Sequence, residues 1–154
     1  MDLGDLIRPD GVLASVKAKN KKHALQVLSA KAAEITQLQE RNIFEALLQR
    51  EHLGSTGVGR GIAIPHGRVP GLQRSISVFA RLEDAIPFDA IDNEPVDLVF
   101  LLLAPEHAGA EHLKALARIS RLLRDPLCIE KLRSSRDRAA LYSVLTEPMA
   151  SHAA

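Results

Sequence analysis

Gly54-Ser55-Thr56-Gly57-Val58-Gly59-Arg60-Gly61-Ile62-Ala63-Ile64-Pro65-His66-Gly67 is the stretch on which the reading of this chain turns. It holds five of the nine glycines and closes on Pro-His-Gly. Glycine reaches φ > 0 and admits close backbone approach. Pro65 fixes its own φ and holds Ile64 extended. The chain thus runs from a flexible loop through a short apolar strand, Ile62-Ala63-Ile64, onto a histidine with a stiff residue before it. So mounted, His66 reads as a nucleophile, and the chemistry it suits is carriage of a phosphoryl group.

Two other readings of the stretch fail on detail. A nucleotide-binding P-loop needs Gly-Lys-Ser/Thr opening a helix, and no such tripeptide occurs. A dinucleotide loop also opens a helix, whereas this one enters an extended Ile-Ala-Ile-Pro. Glu106-His107 and Glu111-His112 place metal-ligand types side by side, but no His-Glu-x-x-His or paired-cysteine spacing accompanies them. No metal and no cofactor are expected.

Working outward, helices and strands interleave. Upstream, Gly11 to Val16 reads as a first strand, and Asn20 as the N-cap of a helix over Lys21 to Thr36. A second helix is expected over Arg41 to His52, with Phe44, Leu47 and Leu48 as its buried stripe and Gly54 as its stop. Downstream, Ser75 to Leu82 alternates like a half-buried strand, and Ile86-Pro87-Phe88 reads as a short edge strand. Val96 to Ala104 is almost continuously apolar, the pattern of a central strand covered on both faces. Glu111 to Leu123 reads as a helix with His112, Leu116, Ile119 and Leu123 on one stripe. Asp125-Pro126 opens a short helix, and a last helix covers Arg136 to Leu145. The fold class expected is a single-domain α/β three-layer sandwich, a mixed central sheet flanked by helices, over residues 1–147, with a frayed tail at 148–154.

Composition excludes several function classes. The 154 residues carry a net charge of +1, so no strong field points to nucleic acid or to a membrane surface. Only 3% of residues are aromatic, too few for base-stacking platforms. The longest apolar run, Leu98 to Ala104, is far short of the ~20 residues that span a bilayer. The acidic N-terminus lacks a signal peptide's basic region, and a cytoplasmic location is expected. Charge is segregated: residues 83–111 hold eight acids and no Lys or Arg, while 112–142 hold eight Lys or Arg against three acids. The lone cysteine, Cys128, sits near Arg124 and Lys131, which would lower a thiol pKa; the bland reading is a small buried apolar residue.

Phosphoryl transfer asks the protein mainly for positioning and electrostatic stabilisation. The parts available are the His66 imidazole, the Arg50 guanidinium, the hydroxyls of Ser55 and Thr56 with the amides of Gly57 and Gly59, and His112 in the first turn of its helix. At Arg50 the bland alternative is a cation suited to a helix C-terminus.

These residues carry a resemblance. Arg50-Glu51-His52-Leu53 followed by the opening stretch resembles the active-site signature of the type-2 (fructose/mannitol-type) IIA components of the bacterial phosphoenolpyruvate-dependent phosphotransferase system. Glu111-His112-Leu113-Lys114-Ala115-Leu116 resembles the same family's second histidine segment. Within the family the chain looks most like the stand-alone nitrogen-regulatory IIA proteins. The resemblance implies that His66 accepts phosphate from the phosphohistidine of an HPr-like carrier protein and that His112 and Arg50 stabilise it. Arg60 departs from the small or polar residue common in relatives, and is read as an extra cation beside the site. Ile62, Ile64, Arg60, Val69 and Leu72 are expected to form the face whose partner changes with phosphorylation. Two alternatives remain: a sugar-specific IIA passing phosphate to a separate IIB domain, and an interaction module that is never phosphorylated.

Overall fold

A computed structural model describes residues 3–147; the tail expected at 148–154 lies outside them. Among the described residues six strands form one mixed sheet, five in the order β1-β5-β6-β3-β2 and the sixth, β4, paired with β6. They are β1 (Ile7–Val16), β2 (Gly57–Gly59), β3 (Ile62–Ala63), β4 (His66–Val69), β5 (Ile76–Ile86) and β6 (Val96–Pro105). Five helices cover the sheet: α1 (Lys21–Thr36), α2 (Glu40–His52), α3 (Ala110–Leu122), α4 (Pro126–Ser134) and α5 (Arg138–Thr146). The expected three-layer α/β sandwich is what forms.

β6 is the central strand. It pairs antiparallel with β5 on one side and parallel with β3 and β4 on the other. Ile62 and Ala63 lie opposite Leu98 and Val99, and His66 and Gly67 opposite Leu102 and Leu103. The register is continuous, so β3 and β4 are one strand broken at Ile64-Pro65. Proline has no N–H for a ladder rung, which accounts for the break at that point.

Alternation along the strands divides the apolar side chains between two cores. Ile62, Phe79, Leu98, Phe100 and Leu102 face α3, α4 and α5. Ala63, Val78, Val99, Leu101 and Leu103 face α1 and α2. Asn20 caps α1 as expected, its Oδ1 accepting from the His23 amide at 2.8 Å. Asp125 and Pro126 open α4 as expected.

Several expectations change. β1 begins at Ile7, because a parallel partner in β5 reaches back to it. β5 is buried on both faces over Val78, Phe79 and Ala80, since helices cover both sides of the sheet. Ile86-Pro87-Phe88 is no edge strand: Ile86 ends β5, and Phe88 is buried beside α1 in the loop that follows. The buried positions of α2 are Ile43, Leu47 and Glu51, with Phe44 and Leu48 only half-buried. In α3 the inward row runs His112, Ala115, Ile119 and Leu122, with Leu116 at its margin. No helix among the described residues is long and apolar enough to cross a membrane.

Candidate functional site

Three elements converge on His66. At the start of β4, the His66 ring stands beside the end of α2, which delivers Arg50, and the start of α3, which delivers His112. Arg50 Nε donates to His66 Nε2 at 3.2 Å, and Arg50 Nη1 donates to the Gly54 carbonyl at 2.9 Å. Arg50 is thus both a partner of the histidine and a cation closing the C-terminal end of α2. The His66 and His112 rings lie 5.6 Å apart, centroid to centroid, tilted by 50°.

The two nitrogens of His66 have different surroundings. Nδ1 lies 2.8 Å from the Ile64 carbonyl. A carbonyl only accepts, so Nδ1 carries the proton and Nε2 holds the lone pair. Ile64 faces away from β6, its amide donating to the Thr56 carbonyl at 2.9 Å while Pro65 accepts from Leu102 of β6, so the Ile64 carbonyl is not a rung to β6. Burial pushes the His66 pKa below the ordinary histidine value; the Ile64 bond opposes this, and the nearby Arg50 charge adds to it. Burial also lowers the His112 pKa, with His66 and Arg68 adding to the effect. Both imidazoles are thereby held neutral at pH 7. His112 Nδ1 is buried without a hydrogen-bond partner, which leaves Nε2 as its available polar atom.

A cleft of about 590 Å3 opens over these groups, lined by Arg50, His66, Arg68 and His112 with Leu53 and Leu113. Arg68, Leu53 and Leu113 escaped the sequence reading. Arg68 stands two residues after His66 on β4 and donates from Nε to the Ala108 carbonyl at 3.0 Å. Strand alternation places positions 66 and 68 on one face, a signal that could have found it. Leu53 and Leu113, 85% and 66% exposed, give the cleft an apolar rim that a lone leucine in a sequence does not advertise.

The glycine loop is built differently from the expectation. Ser55 Oγ donates to the Phe88 carbonyl at 2.6 Å. Thr56 gives both its amide (3.1 Å) and its hydroxyl to the Glu51 carboxylate. Lys21 Nζ lies 2.7 Å from Glu51 and 4.8 Å above the Phe88 ring. Ser55 and Thr56 are thus engaged with the body of the protein, tying the loop to α1 and α2. Gly57 packs against Ala90, where an added Cβ would come within 2.9 Å of the Ala90 Cα, and Gly59 lies beside Asp92. None of the four lines the His66 cleft.

The face expected for a partner is also relocated. Ile62, Ile64 and Val69 are core residues, 2%, 4% and 1% exposed, and Leu72 packs against the α1–α2 core. Arg60 is not beside His66. Arg60 and Gly61 both have positive φ and form the two-residue turn between β2 and β3. The turn carries Arg60 to α4, where its amide donates to Asp92, its carbonyl accepts from Arg133 at 2.6 Å and its Nη1 donates to the Arg124 carbonyl at 3.4 Å. Cys128 is buried, and burial pushes its thiol up to about 12, so it is an apolar filler and not a thiolate. Among the described residues no three His, Cys, Asp or Glu side chains cluster closely enough to hold a metal ion.

Known proteins match the chain along nearly its whole length. The family model of the phosphoenolpyruvate-dependent sugar phosphotransferase system, EIIA 2, matches residues 5–147. A nitrogen regulatory protein of Bradyrhizobium diazoefficiens is 58% identical over 153 residues, covering 99% of this chain and 100% of that protein. One from Escherichia coli K12 is 39% identical over 148 residues, covering 96% and 91%. The crystal structure of nitrogen regulatory protein IIA-Ntr from Neisseria meningitidis superposes with a TM-score of 0.88 at 32% identity, covering 94% of this chain and 99% of that one. A broken strand that presents a histidine to an arginine and a second histidine, on a chain matched along nearly its whole length, makes this protein a member of the type-2 EIIA family of the phosphoenolpyruvate-dependent sugar phosphotransferase system.

Proposed function

We propose that this chain carries a phosphoryl group on Nε2 of His66, accepts it from an HPr-like phosphohistidine carrier, and acts on its partners according to its phosphorylation state. The observation that carries the proposal is the Nδ1 contact with the Ile64 carbonyl at 2.8 Å, which leaves the Nε2 lone pair beside Arg50. In the transfer, Nε2 attacks the phosphorus and forms a new N–P bond. The donor's P–N bond breaks, and its electron pair stays on the donor imidazole. The His66 Nδ1 proton remains shared with the Ile64 carbonyl throughout.

Charge on the three equatorial oxygens is met by Arg50, which exchanges its bond to Nε2 for bonds to phosphoryl oxygens, and by Nε2–H of His112. Arg68 adds a third source of positive potential at the cleft. The regulatory output is favoured by the nitrogen regulatory relatives. A phosphoryl group brings about −1.5 to −2 of charge into a cleft rimmed by Leu53 and Leu113. That charge makes the rim a different docking surface in the two states.

The test supplies phosphoenolpyruvate, enzyme I and the small carrier, and follows the intact mass. One acid-labile, alkali-stable phosphoryl group is expected on the wild type. Continued uptake by His66→Ala would overturn the assignment. Onward transfer from the loaded protein to a sugar IIB domain would replace regulation with sugar transport as the output.

A further inference from the structure

A second cleft, of about 820 Å3, uses another face of α3. Lys114, Ala115, Arg118 and Arg121 line it, whereas His112, Leu113 and Leu116 line the His66 cleft. Its other walls are the turn at Gln73 to Ser75 before β5, the end of β6 at Pro105, and Asp5 and Leu6 ahead of β1. The lining holds four cations, Arg74, Lys114, Arg118 and Arg121, against two carboxylates, Asp5 and Glu111.

Arg118 is committed: its Nη1 donates to Asp5 Oδ2 at 3.0 Å. That bond, joined by the charge of Arg74, holds the Asp5 carboxyl below its usual range, so Asp5 is ionised and already matched. The side chains of Arg74, Lys114 and Arg121 make no hydrogen bond or ion pair with the described residues. Their donors are therefore turned to the cleft and the solvent, on a chain whose net charge is only +1. Leu6, Pro105, Ala115 and Ala117 supply an apolar floor between them. The volume falls in the range of small-molecule sites, ~300–1,000 Å3, which pair an apolar lining with a few charged groups.

We propose that this cleft binds a small organic anion with at least two negative charges, a phosphate ester or a polycarboxylate. The anionic groups bridge Arg74 on one wall to Lys114 and Arg121 on α3, and the carbon skeleton rests on the apolar floor. Arg118 with Asp5 forms the fixed back of the site. The assignment does not depend on phosphoryl carriage by His66. The two clefts are nonetheless linked, since Ala108, which lines this one, accepts the Nε–H of Arg68, which lines the other.

The experiment titrates the full chain with phosphoenolpyruvate, with citrate and with neutral glycerol, without enzyme I or carrier. Amide shifts and calorimetry are read at low ionic strength. Saturable binding of at least one anion is expected, with shifts centred on residues 74, 114 and 121, no response to glycerol, and weakening as salt is raised. The stronger of the two anions tells phosphate ester from carboxylate. Arg74→Gln/Lys114→Gln raises Kd about tenfold or more, through loss of charge-assisted hydrogen bonds. Both side chains are exposed and have no internal partner, so the melting temperature should hold. Lys17→Gln/Lys22→Gln, an equal charge change away from the cleft, leaves Kd unchanged. Absence of saturable binding below about 10 mM would overturn the proposal. So would shifts centred on Arg50 and His66, or equal weakening in the control variant.

Discussion

His66 donates at one nitrogen and accepts at the other, and two predictions follow at the scale of the residue. Replacing Arg50 by Leu removes both the donor and the charge. Phosphoryl uptake measured by rapid quench should fall about a hundredfold, the usual effect of losing one donor aimed at developing charge. The second concerns pH. Burial lowers the pKa of both His66 and His112, so the folded protein keeps them neutral where free imidazoles, with pKa near ~6.5, begin to protonate. In that window the unfolded chain binds more protons, and stability must fall as pH drops through about 6.5. The His66→Gln/His112→Gln variant should show a flatter slope of melting temperature between about pH 7.5 and about pH 5.5 than the wild type. By the same shift, wild-type uptake should hold its plateau to a pH below ~6.5 before it declines. His66 and Arg50 were legible in the sequence because proline and a helix end act locally. Arg60 misled for the opposite reason: six positions from His66 in the chain, it is carried to α4 by a two-residue turn.

At the scale of the element, the end of α2 rests on a carboxylate in an unfavourable place. Glu51 is 8% exposed and lies in the last turn of its helix, where the macrodipole disfavours negative charge. It is retained with three partners: Lys21 from α1, and the amide and hydroxyl of Thr56. Glu51→Ala removes the hub and leaves the part-buried Lys21 with the more distant Asp89 carboxylate, at 4.0 Å, and the Phe88 carbonyl, at 3.5 Å. A loss of about 2–4 kcal/mol in urea unfolding is expected, and Lys21→Met/Glu51→Leu should recover part of it. Gly57→Ala tests the same loop from its other side, and the clash with Ala90 should lower the melting temperature. Helix ends were readable because Asn20, Asp125 and Pro126 carry their own capping chemistry. The burial pattern of β5 was not, because alternation records side-chain type and cannot record that helices cover both faces. Ile62, Ile64 and Val69 were assigned to a partner face on the same ground: nothing local shows that the strand next to His66 is an inner one.

For the whole molecule, the sheet, with β6 at its centre, stands between the two cores and feeds side chains to both. Leu101 faces α1 and α2, and Leu102 faces α3, α4 and α5. Leu101→Ala and Leu102→Ala should each cost about 2–5 kcal/mol. Both should leave a single urea transition, seen alike by circular dichroism and by probes on either layer, because both cores are built on the one sheet. The three-layer arrangement was legible from the uninterrupted apolar run of β6, which only double coverage explains. The pairing of one broken strand across it was not, since β3 and β4 join in a single register only once Leu98 to Pro105 lies alongside. The Ile64 carbonyl bears on the isomer of the product as well. On the proposed reading, a phosphoryl group on Nε2 is the tele form of phosphohistidine, and the choice between tele and pros falls to a main-chain carbonyl. Side-chain changes around the cleft can alter how fast the adduct forms, but they leave its regiochemistry alone. An antibody specific for pros-phosphohistidine should stay silent across the Arg50, Arg68 and His112 variants.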